Sequence, residues 1–216
     1  MKKKVMNTHQ LRNSLFERYP SLRICETEFD AVFEAMRDCF RAGGKLLVAG
    51  NGGSASDSEH ITGELMKSFL FSRRIEDGFA GQLYKLYGEE GQLLASKLEG
   101  ALPVLPLTSM PALNTAFAND VDAAVSFAQM TYGYSRPGDM LLVISTSGNS
   151  KNILYAVMAA RANNMKAIGL TGRGGGKCAG LCDICISVPE DETYKIQELH
   201  LPVYHTLCAM LEAEFF

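Results

Sequence analysis

The chain has 216 residues, of which 47% are hydrophobic and 21% charged, and its formal net charge is −3. That length suffices for one α/β domain with its own core, and the slight acidity excludes a nucleic-acid footprint made by charge alone. No apolar run approaches the roughly 20 residues that span a bilayer, and no apolar stretch follows Lys2–Lys4 as a secretory signal requires. A cytoplasmic protein without membrane or nucleic-acid partners is expected.

Apolar periodicity predicts helices over Thr8–Arg18, through Leu11, Leu15 and Phe16, and over Thr27–Ala42, through Phe29, Val32, Phe33, Met36 and Phe40. Gly43 and Gly44 end the second. The short apolar runs Lys45–Gly50, Ala101–Leu107, Met140–Ser145, Ala167–Leu170 and Ile184–Val188 read as strands. Helical stretches alternate with them over Ser56–Phe71, Leu113–Phe117 or longer, Lys151–Asn163 and Thr193–Glu214. Apolar strands without strict alternation, separated by helices, indicate a parallel sheet covered on both faces. Ligands of such sheets bind at the carboxyl ends of the strands. Residues 72–100 are less regular, punctuated by Gly78, Gly81, Gly88 and Gly91, with a helical turn or two over Gln92–Leu98. A connection of that length is a lid, an oligomer contact or a solvated excursion.

The six cysteines are scattered, as suits a reducing compartment. Cys178, Cys182 and Cys185 have the C-x3-C-x2-C spacing of an iron–sulfur ligand set. Cys185 falls in an apparent strand, however, so Cys182 and Cys185 read better as small buried hydrophobes.

Directly after the first strand comes Gly50-Asn51-Gly52-Gly53-Ser54, and the helix that follows carries His60 and Glu64. Their i, i+4 spacing puts both side chains on one face. The segment thus joins an anion cradle to a possible base or metal pair. A second polar turn, Ser145-Thr146-Ser147-Gly148-Asn149-Ser150, lies between a strand and the helix from Lys151. Helix capping needs one hydroxyl; this turn has four, beside free N–H groups suited to a phosphate. It lacks the nucleotide P-loop pattern. Gln197 and His205 follow on the last helix, eight residues apart and within about 80° on its wheel. Pro202 is expected to kink that helix locally.

These segments, together with Gly138-Asp139, Leu170-Thr171-Gly172, Gly175-Gly176-Lys177 and Ile196-Gln197-Glu198-Leu199-His200, resemble the sugar isomerase (SIS) domain family, and within it the phosphoheptose isomerases. They occur in family order across most of residues 8–214. The resemblance implies a single SIS domain over 1–216: a five-stranded parallel sheet in a flavodoxin-like three-layer sandwich, with residues 1–43 in an oligomer interface. It implies a homotetramer with sites between subunits. The implied reaction is the isomerisation of sedoheptulose 7-phosphate to D-glycero-D-manno-heptose 7-phosphate through an enediol. Glu64 would be the base at carbon and His205 the acid or base at the oxygens. Asn51, Gly52, Gly53, Ser54, Glu64, Ser145, Thr146, Ser147, Ser150 and Gln197 would bind the phosphorylated sugar. One Zn2+ would be held by His60, Glu64, Gln197 and His205; a metal-free acid–base pair of Glu64 and His205 is the alternative.

Three features depart from the family pattern. Met110 stands where an acidic residue is usual, Ser68 beside Lys67 where a basic one is usual, and the 72–100 connection is long. These touch sugar recognition more than proton transfer. The competing functions are a tetrameric, non-catalytic scaffold that binds a replication initiator and a phosphosugar-sensing module. The retained Glu64, Gln197 and His205 argue against a scaffold, which needs no acid–base pair.

Overall fold

The computed structural model describes residues 6–216; the Lys2–Lys4 cluster lies outside the described residues. Five parallel strands, β1 (Leu46–Gly50), β2 (Val104–Pro106), β3 (Met140–Ser145), β4 (Lys166–Thr171) and β5 (Ile184–Ser187), form one sheet in the order β2-β1-β3-β4-β5. The chain leaves β1 toward one edge and returns to add β3 on the other side. The turns after β1 and β3 therefore stand side by side at a topological switch point. Register fixes this, because Gly50 pairs with Ile144 at the ends of the two strands.

Every residue of β1 and β3 is buried, as expected for central strands covered on both faces. Helices α1 (Thr8–Arg18), α2 (Glu26–Arg41), α3 (Gly53–Met66) and, at the end of the chain, Thr193–Phe215 cover the face formed by Leu46, Val48, Leu142 and Ile144. Helix α4 (Asp77–Ala95) lies in the long connection. Helices α5 (Pro111–Asp120), α6 (Ser126–Tyr134), α7 (Lys151–Ala162) and the short α8 (Cys178–Leu181) lie toward the other face, where Phe127, Met130, Ile153 and Cys178 pack on Leu47, Ala49, Leu141 and Val143. The last helix, Thr193–Phe215, is α9. The three-layer α/β sandwich expected from the strand–helix alternation is the observed fold.

Several elements differ from their predicted bounds for identifiable reasons. Strand β2 is shorter than Ala101–Leu107 because Pro103 and Pro106 cannot donate to a ladder, and the edge position tolerates them. Helix α3 stops at Met66 rather than Phe71, and Lys67 is extended. The amides of Phe69 and Leu70 are bound by the Glu212 carboxylate, at 2.8 and 2.7 Å, so they do not continue the helix. Helix α6 is not among the elements expected from the sequence, although Phe127, Met130 and Thr131 have helical spacing and are buried.

The 72–100 connection is mostly helical. Gly88, at φ 60 and ψ −133, breaks α4 sharply, and a side chain at Gly91 would stand 2.0 Å from the Leu83 carbonyl oxygen where the two halves meet. The base of the excursion is pinned: Ser68 donates from its amide and hydroxyl to Glu99 at 2.8 and 2.7 Å, and Arg74 bridges Glu99.

The apolar stripes of α1 and α2 are covered within the chain. Leu15, Phe16, Phe29 and Val32 belong to the core shared with α9, and Phe16 meets Phe29 edge-on at 5.5 Å. Any contact of these helices with another subunit rests on their outer faces. The cysteines are all free, and among the described residues no set of His, Cys, Asp or Glu, the 178–185 cysteines included, forms a metal site. No helix of the described residues is long and apolar enough to cross a membrane.

Candidate active site

Two polar turns and three helix starts enclose a pocket of about 280 Å³ lined by Asn51, Gly52, Gly53, Ser54, Ser145, Thr146 and Ser150, with Thr193 and Gln197 from α9. Gly52 is the N-cap of α3 and bends at φ 56, ψ −122, a conformation that requires glycine. Ser150 caps α7 by position, yet its hydroxyl makes no capping hydrogen bond. Its oxygen is therefore free for a ligand. Thr193 opens α9. The starts of α3, α7 and α9 thus border one space, where helix dipoles and first-turn N–H groups favour an anion. No Lys or Arg lines the pocket, so backbone and hydroxyl donors are the anion-binding groups.

The turns brace each other. Asn51 and Asn152 exchange side-chain hydrogen bonds of 3.0 and 2.8 Å. Gly148, at φ 61, packs so closely on the third glycine-rich loop that an added Cβ would stand 2.0 Å from the Gly175 carbonyl oxygen. The amides of Cys178 and Lys177 reach back to the Gly148 carbonyl and the Asn149 side chain, both at 3.0 Å. Ser147 accepts from the Asn149 amide at 3.2 Å and does not line the pocket. Thr193 was not foreseen; its only signal was its place at the start of the last helix.

Seven residues along α3 from Gly53, about 10 Å of helix, His60 meets Glu64 and His205. His60 Nε2 lies 3.2 Å from Glu64 Oε1 and 3.3 Å from His205 Nε2. Glu64 Oε2 is buried with no hydrogen-bond partner, an expensive state for a carboxylate unless a proton, ligand or cation completes it. Burial holds the His205 imidazole below its ordinary pKa, helped by His60 and opposed by Glu64. His205 is therefore neutral at pH 7 and able to accept a proton or ligate. On the far side of His60, Tyr204 donates to Asp57 Oδ1 at 3.0 Å and stands 3.2 Å from His60 Nδ1. Burial and the neighbouring Asp57 push the Tyr204 pKa up, so the hydroxyl keeps its proton.

The donor chemistry suits zinc, which takes imidazole nitrogen and carboxylate oxygen. Among the described residues no three His, Cys, Asp or Glu side chains are gathered closely enough to hold a metal, although the unpartnered Glu64 Oε2 leaves an oxygen able to donate. Nor is the full quartet assembled. The Gln197 amide nitrogen lies 2.5 Å from where a Cβ at Gly53 would stand. Gln197 lines the polar pocket, with no hydrogen bond to His60, Glu64 or His205 among the described residues. Sharing a wheel face did not bring it to His205, because eight residues also separate the two by about 12 Å along α9.

The departures expected to touch sugar recognition have structural roles. Met110 is the N-cap residue of α5, and its sulfur accepts from the Tyr134 hydroxyl at 3.0 Å. Ser68 holds Glu99 at the base of the long connection. The carboxylate at the end of β2 comes instead from α3: Glu59 Oε1 accepts from Ser109 at 3.0 Å.

Comparison with known proteins agrees with this arrangement. Residues 113–213 match the SIS domain family. A phosphoheptose isomerase of Rhodospirillum rubrum is 41% identical over 172 residues, 80% of this chain and 78% of the relative. One from Akkermansia muciniphila is 32% identical over 95% of this chain and 97% of its own. The chain belongs to the phosphoheptose isomerase family. A solved phosphoheptose isomerase from Neisseria gonorrhoeae superposes with a TM-score of 0.72 at 30% identity, covering 93% of each chain. One from Francisella tularensis gives 0.70 at 31% identity, over 96% of this chain and 99% of that one. The SIS-domain resemblance and the α/β fold expected from the sequence both hold.

Proposed function

We propose that the protein interconverts sedoheptulose 7-phosphate and D-glycero-D-manno-heptose 7-phosphate, as an aldose–ketose isomerase. Family membership supports this reading, and one observation carries its chemistry. A buried, unpartnered carboxylate oxygen of Glu64 stands beside two imidazoles, on the same helix that opens the polar pocket.

The phosphate sits on the amides and hydroxyls of the three helix starts, and the sugar chain runs along α3 toward Glu64. Glu64 takes the proton from C1 of the ketose, and the electron pair forms the enediol. The same carboxyl returns the proton to C2, while His205 moves a proton between the two oxygens. A Zn2+ held by His60, Glu64 and His205 would polarise the carbonyl and steady the enediolate; Gln197 of the same chain, about 12 Å along α9 from His205, does not reach that cluster. Positioned acid–base groups of this kind are worth about 10²–10⁴-fold each.

The assembly in this proposal is a homotetramer in the cytoplasm, with the sites between subunits. Its support is α4, where Phe79, Tyr84, Leu86, Tyr87 and Leu93 are exposed and only Gly91 is buried. An apolar surface of this extent favours burial against another chain.

The test is NMR of the purified protein with sedoheptulose 7-phosphate in D2O, with added zinc and with a chelator. Deuterium at carbon and growth of the aldose phosphate are expected. Binding of the ketose without exchange, by folded protein under both conditions, would leave a phosphosugar-binding module instead.

A further inference from the structure

Two side-chain amides join the polar turns, and one backbone donor settles how both are turned. Asn152 lies in the first turn of α7, half-buried and outside the lining of the polar pocket. Its Oδ1 accepts from the Ile153 amide at 3.0 Å. A backbone N–H only donates, so the atom facing it is the oxygen and the other is the NH2 group. Asn152 Nδ2 therefore donates to Asn51 Oδ1 at 2.8 Å, and Asn51 Nδ2 donates to Asn152 Oδ1 at 3.0 Å. Turning one amide over would set oxygen against oxygen and NH2 against NH2. Turning both would set the Asn152 NH2 against the Ile153 N–H. Neither side chain has another partner among the described residues, so a single arrangement satisfies every contact. Asn51, which lines the pocket, keeps one N–H and one oxygen lone pair beyond this clamp. A donor beside an acceptor complements a hydroxyl group, which both gives and takes a hydrogen bond, whereas a phosphate dianion only accepts. We infer that Asn152 is a positioning residue that fixes Asn51 as a hydroxyl-reading amide, directed at the sugar of the ligand rather than at its phosphate.

The anchor of the clamp is rigid. Ile153 is fully buried in the core under α7, so the amide that orients Asn152 cannot swing. Asn51 by contrast is exposed, and without Asn152 its side chain would turn freely. The clamp also divides the donors of the pocket. The first N–H groups of a helix have no partner within it. Asn152 takes up that of Ile153, while those of Lys151 and Asn152 have no partner among the described residues and remain for a phosphate. Phosphate and sugar are thus met by different groups at the start of one helix. The inference rests on the phosphosugar reading of the pocket, and its experiment separates the two.

NMR titrations of the 15N-labelled protein with sedoheptulose 7-phosphate and with inorganic phosphate compare the wild type, Asn51→Ala, Asn152→Ala and the double variant. Alanine continues α7, so the Asn152→Ala protein is expected to fold as the wild type does. It is expected to bind the sugar phosphate about tenfold more weakly, as for the net loss of a hydrogen bond, and to leave inorganic phosphate unchanged. The double variant is expected to bind the sugar phosphate no more weakly than Asn51→Ala, because Asn152 acts through Asn51 alone. Additive losses in this cycle, or equal losses for the two ligands, would overturn the positioning role. Hydrogen exchange of the side-chain amides reads the clamp without any ligand. The Asn51 NH2 group is expected to exchange more slowly in the wild type than in Asn152→Ala, and equal rates would overturn the clamp. A protected Asn51 amide in a wild type that binds no sedoheptulose 7-phosphate would instead defeat the functional reading, while the orientation of Asn51 by Asn152 stands.

Discussion

Arg73 donates to the backbone carbonyl oxygen of Glu64 at 2.7 Å, and its neighbouring nitrogen donates to the Leu65 carbonyl at 2.8 Å. The guanidinium thereby closes the last turn of α3, whose final carbonyls have no helical partner, and fixes the backbone that carries the proposed base. Its third contact is Glu212 on α9 at 2.8 Å, and both side chains of that pair are fully buried. Glu212 also holds the amides of Phe69 and Leu70. One ion pair thus ties α3, the segment after it and α9 together behind the reacting cluster.

Removing only the guanidinium strands a buried carboxylate. Arg73→Met is expected to cost about 3–5 kcal/mol in urea unfolding, because the remaining charge loses its partner. Arg73→Lys can neutralise Glu212 but cannot span both carbonyls, so it is expected to recover part of that loss. Equal stability of Arg73→Met and the wild type would show that α3 does not depend on this clasp.

Acid lability is expected from His200, which is fully buried on α9 with both ring nitrogens unpartnered. Burial pulls its pKa from 6.5 down to about 4, against the opposing influence of the nearby Thr171 backbone. The unfolded chain therefore binds a proton near pH 6.5 that the folded protein refuses until about pH 4. The stabilisation is fully present above pH 6.5 and is lost as pH falls toward 4, amounting to roughly 3 kcal/mol at about 1.4 kcal/mol per pKa unit. Unfolding of His200→Phe, measured from pH 7 to 4, should lose that part of the wild-type slope. An unchanged slope would place the lability elsewhere.

The β3–α7 turn gives a sharper contrast. Gly148→Ala puts a Cβ 2.0 Å from the Gly175 carbonyl at a positive φ of 61; the turn must move. It is expected to lose sugar-phosphate affinity by at least about tenfold and to destabilise by more than 2 kcal/mol. Gly174→Ala meets nothing within 4 Å at a φ of 73, so only the left-handed penalty of about 1–2 kcal/mol applies and affinity should hold. Similar affinities in the two variants, measured by calorimetry, would argue that the turn is not the phosphate cradle.

The sequence disclosed what local pattern encodes. The uninterrupted apolar runs of β1 and β3 marked two of the five strands, and the hydroxyl-rich turn after β3 marked the anion pocket. His60 and Glu64 meet as their i, i+4 spacing required. The rest depended on distant partners. Helix α3 ends where Arg73 and Glu212, 139 residues apart, capture the backbone, which no window of sequence contains. Helix α4 was obscured because it buries only Gly91 and so shows no core-facing stripe. No local pattern singles out Tyr204; only the packing of α9 on α3 brings its hydroxyl between Asp57 and His60.

The exposed face of α4 makes the assembly testable. Leu86 and Tyr87 are 66% and 64% exposed just before the Gly88 break, and neither supports the subunit's own core. If they are covered by another copy of the chain, a double change of Leu86→Glu and Tyr87→Glu buries two charges at that contact, at a cost of several kcal/mol. Light scattering at micromolar concentration should then show a tetramer for the wild type and smaller species for the variant, with unchanged helical signal in circular dichroism. A wild-type monomer would end the tetramer proposal. A variant tetramer as stable as the wild type would free α4 from the interface and leave it as a surface excursion over the pinned stem at Glu99.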